Sequence, residues 1–504
     1  MQNFFLILLL IAWCSGVMAE SKVIVFPWPE DARVPPSEFY SVDVNGQKPY
    51  VYRTWRADKN SEKKISGCKV SPLSFTVFDF EGEATVTLTL QDGILRKGAT
   101  PVVRPLACGI KPEVTGNQVR FTLRKPGNYT FDPRGDGYNA IHLFTNVPET
   151  DIPDRNDKNV LYYGPGVHKL ATLRLKAGQT LYLAGGAVLQ CEPVRLHGTV
   201  RPYPGIEVGG YSEFVAADGS DITIRGRGII SLAGLIEEKK RTRPLRIYRS
   251  ENSTIRDVVL LGGSDWNLTL FGCRNVTIDN LRIVSFYLNS DGICPASNCD
   301  NIRITGCFVH NGDDALEVKS MDGFYGGYVP PGPEQYFGPV TNVTFENCIV
   351  WNDFAAPIGL THEIVYDVGN VAFKGITVLH HTSPGGPASP RGQIALFAQG
   401  GGKVSNILFE NIVVESSDTA YPQCVSVTNA KIQNPTFSHK PFSSLENIVF
   451  RNIRINTRQP VVSLYNDGAD GLVKNILFDN VWINGKKLGT TQIKNHNASY
   501  FNPF

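Results

Sequence analysis

Three aspartates fall close together in two short segments of this sequence. Asp291 lies in the segment 289–292, which reads Asn-Ser-Asp-Gly, and Asp313 and Asp314 follow a glycine about one repeat unit later. Carboxylates brought together on a rigid surface are the usual equipment for hydrolysing a glycosidic bond, because one can donate a proton while another activates water. The first hypothesis is therefore acid–base catalysis by Asp291, Asp313 and Asp314.

Each aspartate also has an ordinary explanation, because Asp-Gly and Asn-Gly are common turn pairs. Two adjacent acids are nonetheless an awkward choice for a turn, since like charges repel and the pKa of one carboxyl rises. A third acid on a neighbouring coil strengthens that repulsion. Such repulsion is useful where a raised pKa keeps one acid protonated as a proton donor, so the three acids together favour a functional site.

Several nearby residues are candidates to complete such a site. Alignment of the repeats places Asp353 one residue before the position of Asp313, in the next coil, either as a fourth acid at the same cleft or as a solvated turn residue. His362 and Glu363 follow on that coil and would lie close to the cleft. Glu317 and Lys319 are interpreted as a local ion pair or as solvated residues at the edge of the stack.

Aromatic residues near these segments are candidates to stack against sugar rings. Trp266 is one of them, and a Gly- and Pro-rich loop at 321–338 carries five more, Tyr325 among them. Scattered aromatics in a β-protein mostly pack in the core or at its rim, but five in one loop are hard to bury and favour a binding role. This loop and a second one at 380–392 would close the groove and restrict cleavage to chain ends.

Other catalytic patterns are missing from the sequence. No metal-ligand spacing, phosphate loop or Ser-His-Asp order stands out, and the nine histidines form no HExxH pair. We expect neither a metal nor a cofactor, because carboxylates can supply both proton transfers themselves.

Internal repeats are the elements that must position these residues. Seven units share an Asn, an alternating strand, an Asn or Gly turn and a second strand, with degenerate copies near 221 and 253 and spacings of 22 to 41 residues. Such a unit cannot bury its apolar face alone, so stacked units form one continuous column. A propeller is the structural alternative, but its blades need about 40 regular residues each, and repeat intervals of 22 and 26 residues are too short for that. We therefore predict an all-β protein with a parallel β-helix over 156–504 and hydrogen-bonded Asn ladders along it.

Residues 20–155 lack the repeat. Alternating strands such as 75–80 and 84–90 are broken by Asp-Gly and Pro-Gly turns, which predicts a separate small β-sandwich. The polar, Pro-containing stretch 148–158 is interpreted as the linker between the two domains.

The first 19 residues are typical of a secretory signal peptide. An apolar run at 4–12 is followed by a small-residue exit ending at Ala19, although no Lys or Arg precedes the run. A membrane anchor is the alternative, but the run is too short to span a bilayer. We expect a secreted protein, extracellular or periplasmic, that is a monomer without a membrane span.

The charge and cysteine content limit the partners and the cross-links. A formal charge of +2 without a basic block argues against a nucleic-acid partner. Cysteines at equivalent repeat positions are more easily explained as a buried column of small side chains than as disulfides, while a disulfide outside the repeats stays open. The equivalent pairs are Cys307 with Cys348 and Cys273 with Cys299, and the open pair is Cys68 with Cys108.

Three segments resemble, in order and spacing, the active-site segments of glycoside hydrolase family 28, the polygalacturonase family. They are 289–292, 312–314 and the Pro-Ile-Gly at 357–359, and the stretch 175–188 is similar to the first helix coil of many bacterial members. The resemblance implies a right-handed parallel β-helix and inversion at the anomeric carbon. It also implies that Asp313 is the general acid, that Asp291 and Asp314 hold and deprotonate the attacking water, and that Asn289 contacts the substrate.

Two features of that family are missing here. The place of its Gly-His-Gly holds 352–355 without a histidine, and its Arg-Ile-Lys, which grips the galacturonate carboxylate, is matched by a segment that starts at Gln393 and carries neither cation. Arg391 is the nearby substitute. Without these two cations the binding of an acidic sugar is disfavoured, because a buried carboxylate needs a charged partner. A β-sandwich before a β-helix with three acids also resembles family 49, the dextranases and isopullulanases, which act on neutral α-glucans.

The sequence therefore predicts a secreted inverting hydrolase of a polysaccharide or oligosaccharide, of the pectin type by the family 28 resemblance. A dextranase-like hydrolase of a neutral glucan is the alternative. A polysaccharide lyase would use the aspartates to bind calcium, with Lys319 as the one nearby candidate base. In a non-catalytic glycan-binding β-helix, the aspartates would be solvated turn residues.

Overall fold

The computed structural model describes residues 21–30, 32–192, 194–196, 199–201, 212–233, 235, 242–323, 335–383, 389–430 and 442–502. The predicted signal peptide and Tyr325 lie outside these residues. Within them, no helix is long and apolar enough to cross a membrane. Among the described residues, the short 3-10 helices Leu106–Cys108 and Thr490–Gln492 interrupt an architecture that is built of strands.

The N-terminal unit consists of two sheets that pack face to face. Alternating residues such as Val42, Phe80 and Val86 fill the core between them, which confirms the predicted sandwich. The antiparallel four-stranded sheet contains Tyr40–Val44, Ala84–Leu90, Glu113–Thr115 and Gln118–Leu123. The seven-stranded sheet contains Lys22–Val25, Val51–Ala57, Lys64–Ile65, Cys68–Glu81, Val102–Arg104, Asn128–Asp132 and Ile141–Asn146.

The second unit is a right-handed parallel β-helix, as predicted, whose coils each pass through three faces. We call its 11-stranded sheet the front sheet, since it carries the candidate site. Its strands are Leu173–Lys176, Ser212–Asp218, Thr242–Tyr248, Leu268–Phe271, Ile293–Ser297, Leu316–Glu317, Ile358–Glu363, Ile394–Gln399, Val425–Asn429, Val462–Asn466 and Ile493–His496.

Two further faces complete each coil. The rear face, which follows the front sheet, contains Val160–Tyr163, Thr180–Leu183, Thr223–Gly226, Thr254–Arg256, Arg274–Asp279, Cys299–Thr305, Val340–Glu346, Val368–Lys374, Lys403–Val414, Ser444–Ile455, Val473–Ile483 and Tyr500–Phe501, with Lys486–Lys487 as a hairpin addition. The docking face, which precedes the next front strand, contains Gly166–Leu170, Ala187–Cys191, Ile229–Ser231, Val259–Leu261, Arg282–Leu288, Phe308–Gly312, Ile349–Asn352, Thr377–Ser383 and Ser417–Thr419. Val194–Leu196 and Thr199–Arg201 form a separate hairpin.

The repeated asparagines occupy the same turn of successive coils from Asn252 to Asn475. They adopt left-handed φ angles of 53° to 58°, which asparagine tolerates better than other residues with a side chain. Side-chain amides connect successive coils at 2.8 to 3.2 Å, so the predicted ladder is confirmed, with Asp300 accepting from Asn342 at one step. The direct Asn–Asn rungs join Asn252, Asn275 and Asn301, and then Asn342, Asn370, Asn406, Asn447 and Asn475.

The nine described cysteines are all free thiols. Those at equivalent repeat positions lie buried in the β-helix core, as predicted, among Ile, Val and Leu side chains. Cys68 and Cys108 do not form a disulfide, which closes the alternative that the sequence left open.

The sandwich packs against the docking face of the β-helix. Apolar side chains from both units, including Phe75, Phe144, Phe308 and Trp351, share one core. At its edge the Arg56 guanidinium of the sandwich donates to a carboxylate oxygen of the β-helix across 2.9 Å, and both side chains are at most 5% exposed. Buried charges need such partners, so this ion pair ties the two domains together.

Asp353 is the carboxylate of that ion pair. Its second oxygen accepts from Nε2 of His310 at 2.9 Å, and Nδ1 of His310 in turn lies 2.8 Å from Nε2 of His142 in the sandwich. Burial raises the pKa of Asp353, but Arg56 and His310 outweigh it and hold the pKa well below its usual range. The structure therefore corrects the sequence expectation: Asp353 is neither a cleft acid nor a solvated turn residue but an interdomain anchor.

Arg56→Ala is expected to destabilise the protein by about 3–5 kcal/mol, because Asp353 would remain buried without its cation. Denaturant unfolding followed by fluorescence measures this loss. Arg124→Ala is the matched control on the same domain, since Arg124 pairs with Glu83 at the surface, and exposed pairs contribute about 1 kcal/mol or less. Equal and small losses in both variants would contradict the anchoring role.

Candidate active site

The three aspartates lie in turns that connect the docking face to the front sheet on two successive coils. Glycines beside them permit the close approach of these coils. A Cβ at position 292 would lie 2.2 Å from the carbonyl oxygen of Ala315, and one at position 312 would lie 2.5 Å from that of Tyr287. Gly292 and Gly312 are therefore required by backbone packing, and the acids beside them are pressed together as a result.

Three fully buried asparagines hold the backbone of these turns from beneath. The side-chain amide of Asn267 donates to the carbonyls of residues 290 and 291, and that of Asn311 donates to the carbonyls of residues 290, 313 and 314. Asn352 continues this inner ladder, donating to Asn311 at 3.0 Å and to the carbonyl of residue 313. These amide N–H bonds tie the backbones of neighbouring turns to one another, so the acids are mounted on a fixed frame.

Asp313 accepts hydrogen bonds from two backbone N–H groups. Those of Asn289 and Asp314 each lie 2.9 Å from one of its oxygens. Burial and the adjacent Asp314 carboxylate nevertheless raise the pKa of Asp313 to about 6. This carboxyl can therefore hold a proton at mildly acidic pH, as the sequence predicted for one of the adjacent acids.

Asp314 has the opposite tendency. Its Oδ1 accepts from the backbone N–H of Ala356 at 2.9 Å, and its Oδ2 accepts from the hydroxyl of Thr361 at 2.7 Å. Burial raises the pKa of Asp314, but the positive charges of Arg391 and Lys319, with these hydrogen bonds, lower it below its ordinary value. Adjacent carboxyls thus hold different protonation states, which is the division that acid–base catalysis needs.

The Asp291 carboxyl lies close to that of Glu317, which the sequence did not place in the site. One oxygen each of Asp291, Asp314 and Glu317 lie within 4.8 Å of one another, and all three side chains are buried. Burial and the neighbouring Glu317 raise the pKa of Asp291 well above its ordinary value. Burial likewise raises the pKa of Glu317 to about 7, so this end of the site retains protons.

Lys319 neutralises the centre of this cluster. Its Nζ lies 2.8 Å from Glu363, 3.2 Å from Glu317 and 3.7 Å from Asp291. Burial lowers the pKa of Lys319, but these carboxylates outweigh it and raise the pKa well above its ordinary value. Three carboxylate oxygens within 4.8 Å would also suit a metal ion, yet here a permanent ammonium ion already supplies the positive charge.

Trp266 packs beneath the Lys319 ammonium. The Lys319 ammonium lies 4.8 Å from the centre of the Trp266 indole ring. Trp266 is itself 3% exposed and belongs to an apolar cluster that also contains Phe337 and Tyr336. A buried ring covered by a cation is no free surface for sugar stacking. The structure therefore corrects the predicted sugar-stacking role of Trp266.

Arg391 and His362 form a second charged arm at the site. The Arg391 Nη2 donates to Nε2 of His362 at 2.6 Å, and its Nε lies 3.7 Å from Asp314. Nδ1 of His362 faces the side-chain oxygen of Gln399 at 3.3 Å, which fits a neutral imidazole with its proton on Nδ1. Burial lowers the pKa of His362 in agreement with that form. Both predicted residues therefore reach the acids.

Gln393 does not reach the acids. Its side chain is fully buried, with Nε2 2.8 Å from the Ser417 hydroxyl and 3.2 Å from Nδ1 of His381. Gln393 therefore does not take the place of the cation that grips the substrate in the family. Its side chain contacts His381 and Ser417 instead of the acids. Asn289 is half-buried beside Asp313, where only its backbone N–H contacts an acid by a described hydrogen bond.

Sequence reasoning missed several residues of this site. Glu317 and Lys319 alternate with Leu316 and Val318, which lie in the core, so period-two alternation aims both polar side chains to the outside of the front sheet. The same alternation appears one coil later and is a signal that was available. The sequence missed Thr361 and did not place Glu317 and Lys319 in the site, whereas Glu363, which it placed close to the cleft, pairs with Lys319.

Comparisons with known proteins place the chain in a family. The family model described as Glycosyl hydrolases family 28 matches residues 203–501. The chain belongs to this family. It is 26% identical over 243 residues to the "Probable polygalacturonase" of Vitis vinifera, a match that covers 44% of the chain and 48% of that relative. It is also 30% identical over 76 residues to the "Exopolygalacturonase" of Oenothera organensis, covering 15% of the chain and 21% of that relative.

This family 28 chain therefore spans about half or less of the length of the curated relatives it matches. Among solved structures it is similar to "Dex49A from Penicillium minioluteum", with a TM-score of 0.57 at 14% identity, over 91% of each chain. That similarity extends beyond the family 28 match into the N-terminal region, and at this identity it concerns the fold alone.

Lys319→Met is expected to destabilise the protein by about 3–5 kcal/mol at neutral pH, because it strands buried carboxylates. Lys319 holds the pKa of Glu363 below its ordinary value against the effect of burial. Stability from a lowered carboxyl pKa is present above the ordinary glutamate pKa, about 4.3, and is lost as the pH falls below it. In denaturant unfolding the deficit should therefore be larger at about pH 7 than at about pH 3.

Lys474→Met serves as the control for that experiment. Lys474 pairs with Glu446 at the surface, with nearly half of its side chain exposed, so its stability should change little at either pH. A deficit in Lys319→Met that does not depend on pH would contradict the charge-balancing role.

Proposed function

We propose that this family 28 protein hydrolyses glycosidic bonds of a polysaccharide with inversion, by means of Asp313, Asp314 and Asp291. The observation that carries the proposal is that two adjacent buried carboxyls have different partners. Asp314 accepts from Ala356 and Thr361 beside Arg391, which lowers its pKa, whereas burial beside Asp314 raises the pKa of Asp313 to about 6. Pairs of carboxyls whose surroundings push their pKa values apart mark the acid and the base of a site.

In the proposed reaction, Asp313 donates its proton to the glycosidic oxygen as the bond to the anomeric carbon breaks. A water molecule attacks that carbon from the opposite side, and ionised Asp314 accepts the proton of the water, with Asp291 helping to hold it. One water is consumed and one new reducing end forms with inverted configuration. A proton that moves from Asp314 to Asp313 through solvent restores the starting state.

We propose that the protein is secreted and that its substrate is a pectin-type polymer. The two curated relatives that match are named polygalacturonases, and the chain shares their family. We further propose that it acts as a monomer outside the cytoplasm, without a nucleic-acid partner. Arg391, with 22% of its side chain exposed next to Asp314, is the described cation best placed to meet a substrate carboxylate.

A neutral glycan is the second candidate substrate, because both cations of the described site already face acids. Lys319 contacts three carboxylates, and Arg391 is engaged by Asp314 and His362. A uronate carboxylate would have to compete for that charge. This observation favours the neutral substrates implied by the resemblance to family 49.

The other two alternatives find less support. A lyase needs a neutral base to remove a proton, whereas the pKa of Lys319 is raised by its carboxylate neighbours, which keeps it protonated. A purely adhesive protein would leave the aspartates as solvated turn residues, but Asp291, Asp313 and Asp314 are at most 9% exposed.

Asp313→Asn is expected to lower the hydrolytic rate about 10²–10⁴-fold, because it removes the proton donor. A panel of pectic polymers and neutral glucans, assayed for new reducing ends and for ultraviolet-absorbing unsaturated ends, names the substrate class. Asp479→Asn, at a surface ion pair, should leave the rate unchanged. Activity that survives Asp313→Asn, or unsaturated products, would overturn the proposal, and proton NMR of the first product tests inversion.

The pH dependence of kcat/KM should be bell-shaped. Activity should fall as the pH rises through about 6, since Asp313 then loses the proton that it must donate, and it should fall again in acid as Asp314 becomes protonated. Arg391→Gln removes a charge that lowers the pKa of both acids, so both limbs should move to higher pH. Unmoved limbs would show that Arg391 does not act on this pair.

A further inference from the structure

The hydroxyl of Thr361 lies between two carboxyl groups. Its Oγ1 is 2.7 Å from Oδ2 of Asp314 and 3.1 Å from Oε2 of Glu317. All three side chains are nearly inaccessible to solvent. A threonine hydroxyl has one proton to donate, so it can satisfy only one of these oxygens as a donor. The other carboxyl must itself carry a proton if the second contact is to be a hydrogen bond.

The surroundings of Asp314 favour its ionised form. Both of its oxygens face donors, because Oδ1 receives the N–H of Ala356 in addition to the Thr361 bond at Oδ2. Arg391 adds a positive charge at 3.7 Å. Two hydrogen-bond donors and a nearby positive charge together stabilise the ionised Asp314 carboxylate.

The surroundings of Glu317 favour its neutral form. Its Oε1 is buried and receives no hydrogen bond from an N–H or hydroxyl group of the described residues, which an ionised carboxylate tolerates poorly. Its remaining hydrogen-bonding neighbour is the Asp291 carboxyl. Asp291 and Asp314 lie within 4.8 Å, and the Lys319 ammonium is closer to Glu363 at 2.8 Å than to Glu317 at 3.2 Å. The carboxyls of this cluster thus outnumber the positive charges available to them.

We propose that Glu317 is a positioning residue that acts as a neutral acid: its O–H donates to Thr361, whose hydroxyl is thereby oriented to donate to the ionised Asp314. The residue that the sequence suggested as one half of a simple ion pair is then part of the machinery that prepares the base. The proposal deepens the proposed hydrolytic function and rests on it for its catalytic consequence. The pKa of Glu317, raised to about 7 mainly by burial, agrees with this assignment.

Substitutions at Glu317 separate a neutral acid from an ionised one. Glu317→Gln keeps the shape, lacks charge and offers an N–H to Thr361, so kcat/KM at pH 5 should stay within about threefold of wild type. Glu317→Ala removes the donor and should lower it about tenfold or more, since hydrogen bonds in a chain that ends on a charged group are the stronger ones. A Glu317→Gln variant as inactive as Asp314→Asn would overturn the proposal.

Substitutions at Thr361 test the second link of the chain. Thr361→Val removes the hydroxyl, which should raise the pKa of Asp314, move the acid limb of the pH profile to higher pH and lower kcat/KM about tenfold or more. Thr361→Ser keeps the hydroxyl and should restore both the limb and the rate. A Thr361→Val variant with an unmoved acid limb would show that the hydroxyl does not act on Asp314.

An infrared difference spectrum between wild type and Glu317→Gln provides a readout that does not need a substrate. At pH 5 the difference should contain the carbonyl band of a protonated carboxyl, and this band should fade as the pH rises through about 7. A carboxylate band at pH 5 instead would overturn the proposal. If the protonated band is present but no glycan is hydrolysed, the proposed function fails while the protonation state of Glu317 stands.

Discussion

In-register hydrogen bonding between successive coils is the constraint on which the rest of this structure depends. Parallel strands lie about 4.8 Å apart, and equivalent residues such as Ile293 and Leu316, or Leu316 and Ile358, face each other directly. Any polar residue that faces outward on one coil therefore meets the residue at the same position on the next. Distance between side chains is set by the backbone ladder, and the side chains have little freedom to move apart.

That constraint converts a pattern of acids into an electrostatic problem with few solutions. Carboxylates held this close and shielded from water repel strongly, so each must bind a proton, a cation or several hydrogen-bond donors. The chain uses all three. Asp313 has its pKa raised to about 6 and so binds a proton in mild acid, and Glu363 is paired with Lys319. Asp314 accepts hydrogen bonds from Ala356 and Thr361 and lies beside Arg391. The different protonation states that acid–base chemistry requires follow from this distribution of partners.

The sandwich contributes to the same arrangement from behind. Arg56 fixes Asp353, and nearby residues of the same turn contact Asp313 and Asp314: Asn352 donates to the carbonyl of residue 313, and the N–H of Ala356 donates to the Asp314 carboxylate. Domain packing and the frame of the site are therefore one continuous network. This explains why a charged residue occupies the interface between two apolar surfaces, where an ion pair alone adds little stability but fixes geometry.

The sequence by itself determined the repeating architecture and the three central acids. The spacing of the asparagine units allows one economical way to bury Ile, Val and Phe, and the acids stand out because Asp313 and Asp314 are adjacent in a turn. Tertiary structure alone decided which other polar residues belong to the site. Asp353 and Gln393 lie close to it along the chain but point away, whereas Glu317 and Thr361 point into it. The reason is that a side chain's direction in a coil depends on the strand phase and on bends at each turn, and burial decides its charge only after partners from distant coils and from the sandwich are in place.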